Sequence, residues 1–178
     1  MAEIAAGLTE QQLIAAARAL IDLCRTRRLT IAAAESCTGG LLAATLTEIP
    51  GSSDVFDRGF VTYSNHAKQT MLDVPSEVLA KFGAVSRETA EAMARGALTN
   101  AGTDLAVAIT GIAGPGGALP GKPVGLVHLA GAANAGQPVH AERRFGDIGR
   151  AQVRRASVAA ALAILHALAE GSIPPPAV

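Results

Sequence analysis

The stretch at residues 34–40, Ala-Glu-Ser-Cys-Thr-Gly-Gly, constrains the fold of this chain more than any other. An apolar run at residues 29–34 leads into it, and a run of small and apolar residues at 41–49 leads out and stops at Pro50. This order predicts a strand, a tight polar turn and a helix. Backbone N–H groups and the positive end of a helix dipole gather at such a turn, so we expect a ligand above it.

The side chains of the turn fit a site at this position. Ser36 and Thr38 supply hydroxyl groups, while Gly39 and Gly40 let a ligand approach the backbone without a side chain between them. Glu35 ends the predicted strand, and three roles are open to it. It orients a neighbouring lysine, accepts a ribose hydroxyl, or bonds only to backbone.

The rest of the chain alternates between segments with the hydrophobic pattern of a helix and segments with that of a strand. The last two predicted strands have no helix between them, so we expect those two to be antiparallel. This alternation predicts an α/β fold, a three-layer α/β/α domain with a mixed, mostly parallel sheet. A single domain over residues 1–178 is expected, with a short Pro-rich tail at 171–178. The predicted strands are 29–34, 57–64, 105–110, 123–130 and 138–145, and the predicted helices are 9–28, 41–49, 66–72, 75–83, 87–101 and 150–169.

Composition excludes several classes of protein. Lys plus Arg and Asp plus Glu balance at 15 each, so no basic field recruits nucleic acid. Hydrophobic residues at 49% against 17% charged ones argue for a packed core, and for a face that self-associates into a homo-oligomer. No apolar run reaches the ~20 residues of a membrane span, and the N-terminus lacks a signal peptide's basic region. We therefore expect a cytoplasmic protein with no membrane partner.

The cysteines and histidines predict no metal site. Cys24 falls on the apolar face of the first helix and is expected in the core, and with Cys37 it makes no disulfide framework. The four histidines have no ligand spacing and are expected at the surface. No metal and no cofactor are expected.

A second Gly-rich turn, at residues 111–117, follows the apolar strand at 105–110. If this strand and the first one are parallel neighbours, both turns lie at the same edge of the sheet and form one site. Neither turn matches a Walker A or a G-x-G-x-x-G motif. Their N–H groups suit a phosphate or carboxylate, and the alternative is that they are only tight turns.

Ser36 is a candidate nucleophile, with a near-cap hydroxyl as the alternative. Lys68 is its candidate base: if Asn65 caps the next short helix, the ammonium of Lys68 lies near that helix's positive end, which lowers its pKa. Tyr63 precedes the helix, and two roles are open to it: relaying a proton, or holding the pair of Lys68 and Ser36. Cys37 is the rival nucleophile, but neighbouring residues at a strand end point opposite ways, so only one of the two can face the pocket.

Taken together, these motifs resemble the C-terminal domain of the CinA (competence/damage-inducible) proteins, which include stand-alone nicotinamide-nucleotide amidohydrolases. The resemblance covers nearly the whole chain in order. It runs through the blocks at residues 34–40, 50–53, 56–65, 67–68, 83–86, 108–117 and 122–125.

The resemblance implies hydrolysis of the carboxamide of nicotinamide mononucleotide, giving nicotinate mononucleotide and ammonia by a metal-free serine mechanism. Ser36 would be the nucleophile, Lys68 its base and Tyr63 an assisting hydroxyl. The remaining residues implied for the site are the anion hole of Thr38, Gly39 and Gly40 and the nucleotide pocket of Thr110, Gly111 and Gly114.

This chain departs from the family pattern in two places. Larger members carry an N-terminal molybdopterin-binding-like domain, and this chain begins just before the C-terminal one. Members often read Gly-Asp-Arg near the end, where this chain has two extra residues before Arg150. Arg150 is therefore one candidate for the substrate phosphate, and Arg144 and Arg154 are its competitors.

Two other classes of function remain open at this stage. A nucleotide-binding, competence-related protein without turnover would use the same turns but would have no need of Lys68. A structural oligomer is disfavoured, because Gly-rich turns are conformationally costly.

Overall fold

The computed structural model describes residues 7–171, which contain a five-stranded sheet, six α-helices and a short 3₁₀ helix, Ser52–Asp54. Residues 172–178 of the tail predicted at 171–178, and the first six residues of the chain, lie outside the described part. The strands are β1 Ile31–Glu35, β2 Phe56–Val61, β3 Leu105–Gly111, β4 Leu126–Ala133 and β5 Val139–Arg144. The helices are α1 Glu10–Arg27, α2 Leu41–Thr47, α3 Asn65–Leu72, α4 Ser76–Phe82, α5 Arg87–Ala101 and α6 Arg150–Glu170.

The sheet has the order β2-β1-β3-β4-β5. β1 pairs in parallel with β2 and with β3, whereas β4 is antiparallel to both β3 and β5. This confirms the mixed, mostly parallel sheet and the antiparallel final pair. Because β1, β2 and β3 end at the same edge, the segments that follow them come together there.

Helices cover both faces of the sheet. One core cluster joins α1, α2 and α6 to the face that carries Ile31 and Val107, and the other joins α3 and α5 to the face that carries Ala34 and Ala108. Alanine on the second face leaves room for α5 to lie close to the strands. The three-layer α/β/α architecture is therefore confirmed.

Gly96 fixes the distance between α3 and α5. A Cβ atom at this position would lie 1.9 Å from the backbone oxygen of Leu72, which is the last residue of α3. Only glycine permits this approach, because any side chain would collide with backbone that cannot rotate away. The contact matters for the site, since α3 carries Lys68.

Two predicted element boundaries were wrong for reasons visible in the backbone. Leu29 lies before β1 in the capping turn that follows α1, because Arg28 adopts φ 56° and the N–H of Leu29 donates to the carbonyl of Cys24. β4 starts at Leu126 because Pro123 lies in a turn, where its carbonyl accepts the N–H of Leu126. β4 also runs through Gly131, where a Cβ would meet Ile164 of α6 at 2.5 Å.

The cap of α3 also differs from the prediction. Asn65 is the first residue of the helix, and the Oγ of Ser64 accepts the N–H of Ala67 at 3.0 Å. Lys68 therefore lies in the second turn of α3, one residue further from the positive end than predicted.

None of the helices between residues 7 and 171 is long and apolar enough to cross a membrane.

Candidate active site

Ser36 is held from both sides by the sheet. Its N–H donates to the carbonyl of Ile109 on β3 at 2.9 Å, and the N–H of Thr62, just after β2, donates to the carbonyl of Glu35 at 2.8 Å. These bonds continue the two parallel ladders beyond β1. The backbone that carries the candidate nucleophile is thus fixed at the carboxyl edge of the sheet.

Lys68 reaches Ser36 from α3. Its Nζ lies 3.0 Å from the Oγ of Ser36 and donates a second hydrogen bond to the carbonyl of Thr62 at 2.8 Å. The lysine side chain is only 1% exposed, and within residues 7–171 no carboxylate makes a salt bridge with it. Two residues 32 apart in sequence are therefore brought into direct contact in a buried position.

Burial lowers the pKa of Lys68 below 10.5, and the nearby Cys37 opposes this shift weakly. The direction agrees with the prediction, but the main cause is loss of water around the amine rather than the dipole of α3. A lysine whose pKa is lowered in this way can be present as the neutral amine that a base requires.

Cys37 points away from the base. Its side chain belongs to the core cluster under α1, α2 and α6, on the opposite face of the sheet from Ala34. Burial raises the pKa of its thiol to about 12, which keeps the sulfur protonated and unreactive. The geometry therefore favours Ser36 over Cys37 as the nucleophile.

Glu35 caps α2 through its side chain. Its carboxylate accepts the N–H groups of Gly40 at 3.1 Å, Leu42 at 3.0 Å and Ala43 at 2.9 Å, and the residue is fully buried. Of the three roles open to Glu35, the structure shows bonding to backbone. It follows that the positive end of α2 is occupied by this carboxylate rather than left open to a ligand.

Glu35→Ala should lower the free energy of unfolding by about 3 kcal/mol, because three N–H groups at the start of α2 would lose a charged acceptor. Urea denaturation measures the change. Glu48→Ala, at the exposed end of the same helix, is the matched control and should shift it by no more than about 0.5 kcal/mol. Equal stability of the two variants would show that the cap is not needed.

The turn after Ser36 is partly closed on itself. Gly39 has φ 56°, and its N–H donates to the carbonyl of Ser36 at 3.1 Å, while the N–H of Gly40 is taken by Glu35. Thr38 differs from both. Its hydroxyl is buried without a hydrogen-bond partner, and its N–H donates to no group in the described part of the chain. Of the three residues predicted as an anion hole, Thr38 is the one with donors to spare.

Arg154, on α6, donates hydrogen bonds to the same turn. Its Nε and Nη2 both donate to the carbonyl of Thr38, at 3.1 Å and 2.6 Å. This contact spans 116 residues of sequence.

Tyr63 and Arg150 form a bridge at the rim of the site. Arg150 donates from Nη2 to the Tyr63 hydroxyl at 2.9 Å and from Nη1 to the carbonyl of Gly114 at 3.1 Å. Tyr63 is 60% exposed, and among the described residues its hydroxyl has no contact with Lys68 or Ser36. The bridge joins the segment after β2 to the second Gly-rich turn.

The residues predicted for the nucleotide pocket make structural contacts of their own. The hydroxyl of Thr110 donates to the carbonyl of Ala84 at 2.7 Å. A Cβ at Gly111 would lie 2.7 Å from the carbonyl oxygen of Leu126, and one at Gly114 would lie 2.7 Å from Val124. Thr110 still lies beside Ser36, because Glu35 pairs with Ile109 in the preceding step of the register.

The three candidate arginines have different surroundings. Arg144, on the edge strand β5, is paired with Glu142 at 2.7 Å. Arg154 is bound to the turn. Only Arg150 combines an exposed position with a direct contact to Tyr63.

The prediction that all four histidines are surface residues was wrong for His128. This residue is 8% exposed because it lies on β4, an interior strand, and its Nδ1 is 3.0 Å from Nε2 of His140. No group of three His, Cys, Asp or Glu side chains between residues 7 and 171 is arranged to hold a metal ion.

Sequence reasoning missed two parts of the site. The carbonyl of Thr62 carries no sequence signal, since every residue has one. Arg154 was considered only for the phosphate, because its contact with Thr38 depends on where α6 crosses the sheet.

The fold and site define a class: a three-layer α/β/α domain with a buried Ser–Lys pair at the carboxyl edge of its parallel strands. A family sequence model described as the CinA C-terminal domain matches residues 13–169. The chain belongs to this family.

Relatives and solved structures agree with the family. A CinA-like protein of Synechococcus sp. is 51% identical over 151 residues, which make up 84% of this chain and 36% of that protein. The chain thus spans about a third of the length of the curated relatives it matches.

The crystal structure of the competence/damage inducible protein CihA from Agrobacterium tumefaciens is 56% identical, with a TM-score of 0.86, covering 88% of this chain and 94% of that one. A CinA superfamily protein from Klebsiella pneumoniae is 35% identical, with a TM-score of 0.83, covering 92% of this chain and 99% of that one. These likenesses extend over the whole fold described above.

Proposed function

We propose that this chain is an amidohydrolase that converts nicotinamide mononucleotide to nicotinate mononucleotide and ammonia. The observation that carries the proposal is the buried contact of 3.0 Å between Lys68 Nζ and Ser36 Oγ. A nucleotide-binding protein without turnover does not need a buried lysine beside a serine. Burying an amine costs free energy, and buried ionisable groups of this kind cluster at functional sites.

The first half of the reaction acylates Ser36. Neutral Lys68 accepts the hydroxyl proton, and Oγ attacks the carboxamide carbon of the substrate. The positive pyridinium ring withdraws electrons from that carbon, which suits a modest nucleophile. Thr38, two residues after Ser36, is our candidate for stabilising the oxyanion, because its N–H and hydroxyl have no hydrogen-bond partner among the described residues.

The second half releases both products. Ammonia leaves with the proton returned from Lys68, which becomes neutral again, and the nicotinoyl group remains as an ester of Ser36. Water then gives up a proton to Lys68 and attacks the ester carbonyl. Cleavage of the ester returns the hydroxyl to Ser36 and releases the carboxylate product.

Arg150 is our candidate for the substrate phosphate. It is exposed at the N-terminus of α6, its guanidinium is suited to a phosphate, and it already contacts Tyr63. Binding there would keep the nucleotide at the rim while the carboxamide reaches Ser36.

Ammonia release from nicotinamide mononucleotide, compared with free nicotinamide and with the dinucleotide, tests the proposal. We expect turnover of the mononucleotide at least about 100-fold faster than of nicotinamide, since remote contacts supply binding energy to the reaction. Isothermal titration with the same nucleotide identifies the other class of function: binding without any ammonia would make the protein a nucleotide binder and not an amidase.

A further inference from the structure

We infer that Arg154 is a positioning residue, which holds the turn at residues 36–40 so that Thr38 can stabilise the oxyanion, and that it does not bind substrate. This inference rests on the proposed function. It assigns a role to an arginine that the sequence offered only as a phosphate ligand.

The contact between Arg154 and Thr38 restrains the backbone of the turn. Two N–H groups of the guanidinium converge on one carbonyl oxygen, that of Thr38, which also accepts the N–H of Leu41 at 3.2 Å. Thr38 is fully buried, so water does not replace a lost donor there. The charge of the arginine makes the bond stronger than one between neutral groups.

The turn requires a restraint from a side chain outside it, because it contains two glycines. Gly39 and Gly40 have φ values of 56° and 92°, and glycine exchanges between positive and negative φ at little cost. Glu35 restrains the turn from Gly40 onward, and the ladder with Ile109 restrains it at Ser36. Between these two anchors, Arg154 is the one side chain of the described residues that bonds to the turn.

The fixed group adjoins the reacting one. Arg154 holds the carbonyl of Thr38, and the free N–H and hydroxyl belong to the same residue. Movement of this residue by as little as 1 Å would shift both groups relative to Ser36, and displacements of that size can slow a reaction by about 10²-fold. Substrate binding at the rim, by contrast, does not depend on Thr38.

Arg154→Met should therefore lower kcat by about 10²-fold and leave KM for nicotinamide mononucleotide within about threefold. Arg154→Lys, which can restore one hydrogen bond to the carbonyl, should recover part of the loss. Arg155→Met removes the same charge one residue along α6 and should keep both constants near the wild-type values. A rise in KM with unchanged kcat in Arg154→Met would instead make this residue a phosphate ligand and overturn the inference.

Amide hydrogen exchange tests the same role without any substrate. We expect the amides of Gly39 and Gly40 to exchange faster in Arg154→Met than in Arg155→Met, with the amides of the β3–β4 ladder unchanged in both. Unaltered exchange at these two glycines would contradict the inference whatever the kinetics. If the wild type releases no ammonia, the proposed function is wrong. Faster exchange of these two glycines in Arg154→Met would still support the role of Arg154 in positioning the turn.

Discussion

Ser36→Ala should release ammonia from nicotinamide mononucleotide at least about 10³-fold more slowly than the wild type. The substitution removes the oxygen that forms the acyl intermediate, so no other step can compensate. The fold should be retained, because the backbone of Ser36 is held by β3 and not by its own side chain. Initial rates of ammonia release give the activity, and circular dichroism confirms the fold.

Cys37→Ala is the matched control. It removes the other candidate nucleophile at the adjacent position, where the thiol lies in the core and has a pKa raised to about 12. We expect its kcat to stay within about threefold of the wild type, with some loss of stability from the small cavity. Full activity in Ser36→Ala together with inactivity in Cys37→Ala would transfer the reaction to the thiol.

The local elements of this fold could be predicted from sequence because their signals are local. Ser86 and Gly102 bound α5 as expected, since a capping hydroxyl and a left-handed glycine act within one turn of the helix. The same reasoning placed a turn after β1. It could not distinguish Ser64 from Asn65 as the cap of α3, because both residue types cap helices and they are adjacent.

The pairing of Ser36 with Lys68 could be proposed from residue types, but the cause of the lowered pKa of Lys68 could not be predicted. The sequence suggested a helix dipole, whereas in the structure burial of the side chain, which is 1% exposed, lowers the pKa of the lysine. Burial depends on how the helices pack on the sheet, and a residue such as Gly96, which permits α5 to approach Leu72 of α3, gives no local signal of that role. Long-range contacts of this kind are decided by packing and not by periodicity.

The role of Glu35 could not be decided from sequence either. A carboxylate at a strand end beside a Gly-rich turn resembles a ligand-binding group, and the structure instead uses it to cap α2. The turn therefore cannot rely on the start of that helix for its anion-stabilising donors. In our proposal Thr38 therefore stabilises the oxyanion, and Arg154 holds Thr38 in place.

Lys68→Met should lower kcat/KM by about 10³-fold, because it removes the base and leaves a side chain of similar length. Lys81→Met, an exposed lysine of α4, is the matched control and should be fully active. In the wild type, kcat/KM should rise with pH as the lysine deprotonates, through an ionisation below pH 10.5. Lys68→Met should lack that ionisation, and its residual rate should be flat over the same range.

The same variant gives a stability test that does not require a substrate. The pKa of Lys68 is lower in the folded protein than its unfolded value of 10.5, so the unfolded chain binds more protons in the window between the two values. The free energy of unfolding of the wild type should therefore rise with pH through that window relative to Lys68→Met, by up to about 1.4 kcal/mol per pH unit. Urea denaturation at pH 7, 8, 9 and 10 measures the difference between the two proteins. A difference that does not change with pH would mean that the amine keeps its proton in the folded state, and then Lys68 could not act as the base.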